Sequence, residues 1–227
     1  SISRMATGAL ADSLAESGSV YMSDEDPELV EDAIPFGLKT MESVLAEHPE
    51  HYGLLVALAS GFTSYAYGFV EMDAFALEPV DVDASEALLV RAAKLYFRAR
   101  DYGMRALEAE VDDFEARLRE APEATLAELK VEHIEALYWT AAAWGLGIAA
   151  AGLDPDLVAD FPLVEAMAAR ALALDEDWDQ GALHDFFVVL ESESPGGSLD
   201  AAEQHFQRAV ELNRGHRAGT YVSMAEN

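Results

Sequence analysis

One helical pattern occurs twice in the last third of this chain, and it limits the fold more than any other feature. Ala171-Leu172-Ala173-Leu174-Asp175 is echoed 38 residues later by Ala209-Val210-Glu211-Leu212-Asn213. The segments that follow also correspond, with Leu183, Phe186 and Phe187 set against Tyr221, Met224 and Ala225. Self-similarity at a spacing of a few tens of residues indicates stacked helical hairpins, because one hairpin cannot bury its own apolar face and must lean on a neighbour. Ala202, Phe206 and Ala209 follow the small, large, small spacing of a tetratricopeptide-type second helix. Gly37, Met41 and Val44 before Pro49, then Leu55, Leu58, Ala59 and Phe62, form a looser earlier copy. The expected fold is all-α, a tetratricopeptide-like array of helical hairpins. A single all-helical repeat domain over 1–227 is expected, with its clearest repeats over 160–227. An ordinary antiparallel bundle has the same i, i+3, i+4 periodicity and is the alternative for the N-terminal half.

Charge narrows the partners. Acidic residues number 43 against 14 basic ones, a formal net charge of −29. A field of that sign repels phosphate backbones and anionic lipid headgroups, so nucleic-acid binding and electrostatic membrane attachment are disfavoured. There are no cysteines, which removes disulfides, thiolate metal sites and cysteine nucleophiles together. The segments Tyr52 to Val70 and Ala136 to Leu153 are uncharged and nearly long enough to span a bilayer. Both are diluted by Gly, Ala, Ser, Thr and Tyr and lack basic flanks, as expected of helices covered on several sides.

Helices are expected at 2–16, at 27–47 with Asp26 as N-cap and a kink at Pro35, and at 50–71. The stretch 72–83, with Pro79 and an acidic cluster, is expected to be a long loop. One long helix over 84–118, bent near Gly103, should follow. After a short piece at Pro122, an apolar helix is expected over 131–150, where Gly145 and Gly147 permit close packing. Ser194-Pro195-Gly196-Gly197 is a turn, and the chain is expected to end at Asn227 within a further helix.

Signatures of catalysis are absent: no G-x-S-x-G elbow, no phosphate loop, no H-E-x-x-H and no dinucleotide fingerprint. His48 and His51 flank Pro49 at a turn, and no further metal ligand accompanies them. Glu132 and Glu135 beside His133 have the residue types for acid–base work, and equally form the polar start of an amphipathic helix. No enzyme, cofactor or metal is expected. Five of the fourteen basic residues fall between positions 91 and 105. Arg91, Lys94, Arg98 and Arg105 form one helical stripe, suited either to an anionic ligand or partner or to ion pairs with acidic neighbours. Aromatic residues collect in the two uncharged segments. Tyr65 and Tyr67 lie in one, Tyr138, Trp139 and Trp144 in the other, and large amphipathic rings there suit an apolar cavity as well as a core.

The chain resembles the TRAP transporter T-component family, often called TatT. The likeness rests on Ser-Ile-Ser-Arg-Met-Ala at the start, ALADSLAESGS over 9–19, and Asp26-Pro27-Glu28-Leu29-Val30 with Ala33-Ile34-Pro35-Phe36. It continues through Tyr96-Phe97-Arg98-Ala99-Arg100-Asp101-Tyr102-Gly103, Tyr138-Trp139 with Ala143-Trp144-Gly145, His205-Phe206 and Arg217-Ala218-Gly219. The resemblance implies a periplasmic bacterial lipoprotein that binds the solute-binding subunit of a TRAP transporter, together with a small organic or hydrophobic ligand. It further implies homo-oligomers, trimers among them, and a membrane link only through a lipidated cysteine that would precede Ser1. On this reading Tyr65, Tyr67, Tyr138, Trp139 and Trp144 line the ligand cavity, while Arg98 and Arg100 meet a carboxylate or the partner. The rival expectation is a cytoplasmic tetratricopeptide adaptor that captures peptide tails.

Overall fold

Helix starts along the chain coincide with side chains able to accept a free backbone N–H. In the computed structural model, which describes residues 2–16, 18–152, 154–193 and 197–225, Asp26 accepts from the Leu29 N–H at 3.1 Å and Pro27 opens the helix. His51, Asp81 and Ser198 cap three later helices through Leu54, Ala84 and Ala201, each satisfying one of the donors a helix start leaves open. The helices are α1 (Ile2–Ala15), α2 (Gly18–Met22), α3 (Pro27–Glu47), α4 (Tyr52–Tyr65) and α5 (Met72–Leu77). They continue with α6 (Val82–Glu108), α7 (Phe114–Glu120), α8 (Pro122–Leu126), α9 (Ile134–Ala150) and α10 (Pro155–Val158). The last four are α11 (Phe161–Leu174), α12 (Ala182–Glu193), α13 (Leu199–Asn213) and α14 (Ala218–Ala225). No strand occurs among the described residues, so the protein is all-α. The expected turn at 194–197 lies, apart from Gly197, outside the described residues, as do Ser1 and Asn227.

Two expected boundaries are corrected. The stretch 72–83 is not one long loop, because α4 runs through a π-helical turn (Ala66–Glu71) directly into α5, and only residues 78–81 lie between α5 and α6. A π turn holds one residue more than an α turn and so rotates everything after it. Beyond it Ala74 is buried, its carbonyl accepting the Ser85 hydroxyl at 2.8 Å, while Met72 and Phe75 are exposed. Nor does one helix cover 84–118. Helix α6 is continuous through Gly103 and ends at Glu108, and Asp113 in the left-handed region, φ 54°, restarts the chain as α7. Helix α3 continues across Pro35.

Each long helix packs on its sequence neighbour: α3 on α4, α4 on α6, α6 on α9, α9 on α11, α11 on α12, and α12 on α13, with α14 against both α12 and α13. Helix α4 also touches α9 and α1. The buried side chains form one contiguous cluster from Ala11 to Leu190. Both echo segments close a helix, α11 and α13, and Ala171 and Ala209 are fully buried. The helix Tyr52–Leu77 is long and apolar enough to cross a membrane by length and composition alone. Here Leu54, Leu55, Leu58 and Ala59 are covered by protein instead.

Small residues set the closest approaches. A Cβ on Gly103 would collide with the Thr140 hydroxyl and stand 3.3 Å from its Cα, while one on Gly147 would press on Tyr96 and Phe97 at 3.3 Å. Gly103→Ala should therefore destabilise the fold by about 2 kcal/mol despite alanine's better helix propensity. Urea denaturation checks this, and Thr140→Ala in the same chain should recover part of the loss.

Helices α12 and α13 also share a histidine pair, His184 and His205, whose Nδ1 atoms are 2.8 Å apart. One ring must donate and the other accept, so the contact does not survive double protonation. His205 stacks on Phe187, and burial holds both imidazoles below their ordinary value, with Glu176 partly opposing this at His184. The unfolded chain therefore takes up protons first, and stability falls as pH drops below about 6.5. Amide exchange in α12 and α13, corrected for intrinsic rate, should accelerate between about pH 7.5 and pH 5.5, and His205→Phe should flatten that dependence.

Candidate functional site

Helix α4 carries small residues at Gly53, Ala57, Ser60, Gly61 and Ser64. Spacings of three and four put them on one flank, and the side chains they lack leave space beside the helix. A groove of about 850 Å³ fills that space. Its α3 wall is Ile34, Gly37, Leu38 and Met41. Helix α1 contributes Asp12 and Ala15, the turn after it Glu16 and α2 Tyr21, and α9 closes one end with Glu135 and Trp139. The lining is apolar in its middle and polar at its margins, the usual makeup of a small-molecule site.

The margins are held by specific bonds. His51 accepts the Leu54 N–H at Nδ1, so its ring proton lies on Nε2, which faces Asp12 Oδ1 at 3.1 Å. Tyr52 donates to the Glu132 carbonyl at 3.4 Å. Its phenol is pushed up to about 12, by burial first and then by Glu110, Glu135 and Glu132. Glu135 is reachable by solvent inside the groove, yet surrounding protein displaces bulk water; this burial, with the charge of Asp179, raises its carboxyl. Trp139 meets Tyr138 edge to face at 5.0 Å, and Tyr138 contacts Trp178 at 4.9 Å and Phe186 at 6.1 Å. Tyr138, mostly enclosed by these rings, is likewise raised to about 12 by burial.

The seven residues singled out from the sequence are not brought together. Trp139 lines the groove and Tyr138 stands behind it. Trp144 is buried in the core, with Arg100 at 4.5 Å and Arg119 at 5.5 Å from its ring. Tyr65 is buried and accepts a hydrogen bond from Arg91 at 3.2 Å, whereas Tyr67 is 49% exposed. The three arginines of the basic stripe are engaged within the chain. Arg98 pairs with Glu42 and lies over Phe62, Arg100 pairs with Glu115 and Asp101, and Arg105 donates to the Pro49 carbonyl at 2.8 Å. Lys94 is exposed. Sequence reasoning missed Tyr21, Tyr52 and the groove itself. The small-residue flank of α4 is the signal that marks it. No group of three or more potential metal-binding side chains occurs among the described residues.

Glu42 is the hub of this pairing. Burial alone would raise its carboxyl, but the Lys39 ammonium at 2.5 Å, the Tyr102 hydroxyl at 2.6 Å and the Arg98 guanidinium outweigh burial and lower it. A carboxylate depressed in the folded state stabilises above its unfolded value of about 4.5, and that contribution disappears as pH falls through the folded value. Glu42→Gln should cost about 1–2 kcal/mol at neutral pH, with the difference from the parent vanishing on acidification. Chemical denaturation across that pH range measures it.

Helices packed in succession, arginines consumed in internal pairs and an apolar groove with polar margins define the class: an all-α protein with a ligand-sized groove along its core helices. Residues 23–227 match the profile described as TAtT, TRAP transporter T-component, and the chain belongs to that family. That description names a component of a TRAP transporter, and the family is consistent with an extracytoplasmic location. It is also similar to a protein of Treponema pallidum (strain Nichols), described as uncharacterized, at 25% identity over 215 residues. The alignment covers 91% of this chain and 66% of that relative.

Proposed function

We propose that this chain is an extracytoplasmic binding protein that assists TRAP-type solute uptake by holding a small organic or hydrophobic ligand in the α1–α3–α4 groove and docking on the transporter's solute-binding subunit. The groove, about 850 Å³ and ending on Trp139, is the observation that carries this reading; it matches the volume of sites that enclose small molecules. Trp139, backed by Tyr138, contacts the ligand. Tyr67 and the partly exposed Arg98 face the partner, and Tyr65, Arg100 and Trp144 hold these surfaces in place from the core. The helices act as one tetratricopeptide-like repeat domain, anchored by an N-terminal lipid in the longer protein and assembling as a homo-oligomer, trimeric as the resemblance implies. A tetratricopeptide adaptor for acidic peptide tails would need lysines and arginines presented to the tail. Arg91, Arg100 and Arg105 are instead occupied by Tyr65, Glu115 and Pro49.

Two substitutions test the reading. Ala57→Phe fills the middle of the groove and should abolish retention of small molecules, read by native mass spectrometry, while leaving the helical circular dichroism spectrum intact. Arg98→Ala should weaken binding to the solute-binding subunit about tenfold in calorimetry. Unchanged retention in the first variant would remove the groove from the mechanism, and unchanged affinity in the second would remove Arg98 from the partner surface.

A further inference from the structure

The charges around the groove are one-sided. Among the described residues that line it, the carboxylates are Asp12, Glu16 and Glu135, and no lysine or arginine is present. His51 does not balance them, because a ring that accepts the Leu54 N–H at Nδ1 carries its proton at Nε2 and is an uncharged donor to Asp12. On neighbouring helix α6 the arginines Arg98 and Arg105 are engaged, with Glu42 and with the Pro49 carbonyl. Three aromatic rings, Tyr21, Tyr52 and Trp139, complete the lining. The whole chain carries a formal −29, so the wider field has the same sign.

An organic anion entering this groove would give up hydration and meet carboxylates without a compensating cation, which is unfavourable on both counts. A neutral apolar ligand would gain only from burial. An organic cation gains from burial, from Coulomb attraction to the carboxylates and from the faces of the aromatic rings. We infer that the groove selects organic cations, an ammonium or guanidinium group on an apolar body, over organic anions of the same size. This rests on the proposal that the groove is a ligand site, and it names the chemistry of the ligand. Burial is the first cause of the rise of the Tyr52 phenol and the Glu135 carboxyl, but the secondary causes, Glu110, Glu135 and Glu132 on Tyr52 and Asp179 on Glu135, are negative charges and agree with it.

Calorimetric titration of the whole chain with octyltrimethylammonium, octanol and octanoate at neutral pH and low salt separates the possibilities. The cation should bind roughly tenfold or more tightly than octanoate, and raising salt should narrow the gap. Glu135→Gln and, independently, Asp12→Asn should each weaken the cation several-fold and leave octanol unchanged. Octanoate binding as tightly as the cation, or neither variant affecting the cation, would overturn cation selection while leaving the groove as a ligand site. Failure of all three compounds to bind, or equal binding by Ala57→Phe, would overturn the groove reading itself and cation selection with it.

Discussion

The contact between α6 and α9 is the constraint on which the remaining packing depends. Gly103 admits the Thr140 side chain, Gly147 admits Tyr96 and Phe97, and Ala92, Ala99 and Ala106 present almost no bulk to the interface. Side chains this small let two helix backbones approach at the lower end of the usual interaxial range. Helix α4 then packs against both helices. With α4 fixed against the pair, its Gly53–Ala57–Gly61 flank lies on the side where α1 and α3 approach, and the start of α9 brings Glu135 and Trp139 to the groove's end. A larger residue at Gly103 would displace α9 and, with it, the groove's aromatic wall.

Charge organisation follows from scarcity. With 14 basic residues against 43 acidic ones, each arginine drawn into the structure is met by several available carboxylates. Arg98 with Glu42, Arg119 with Asp160 and Arg217 with Asp179 and Asp185 each join elements distant in sequence. Exposed pairs of this kind contribute little individually. Their larger effect is on the surfaces they leave behind, because consuming the cations in structural pairs leaves the groove with an uncompensated negative lining.

Much of the fold was legible because its causes are local. Asp26 before Pro27 has the chemistry of a helix start, the Ala92–Ala99–Ala106 face has the period of a buried helix, and the Ala171 and Ala209 echoes end two helices whose small residues are buried. The π turn at Ala66–Glu71 was not legible. It arises where buried Glu71 meets the Tyr96 hydroxyl of α6, a tertiary contact that local periodicity does not encode. The break after Glu108 depends on Asp113 adopting a left-handed conformation, which aspartate tolerates but does not announce. Aromatic grouping in sequence pointed to five residues, of which Trp139 reaches the groove. Trp144 and Tyr65 sit only a turn or two from groove residues, yet a helix rotates each toward the core.

The C-terminal helices bear on the groove through a strained turn. Asp179, Gln180 and Gly181 have φ values of 43°, 56° and 90°, three successive left-handed residues of which only the last is glycine. Such backbone costs of order 1–3 kcal/mol per residue and persists where its surroundings over-determine it. Arg217, at the start of α14, supplies that restraint by bonding Asp179 at 2.8 Å and Asp185 at 3.3 Å. The turn in turn sets Trp178 against Tyr138, and Tyr138 supports Trp139. The charge of Asp179 also reaches Glu135 and adds to the rise of its carboxyl. The C-terminal helices are therefore not independent of the upstream site: Arg217 before α14 anchors the turn that positions the groove's aromatic end and helps set its charge.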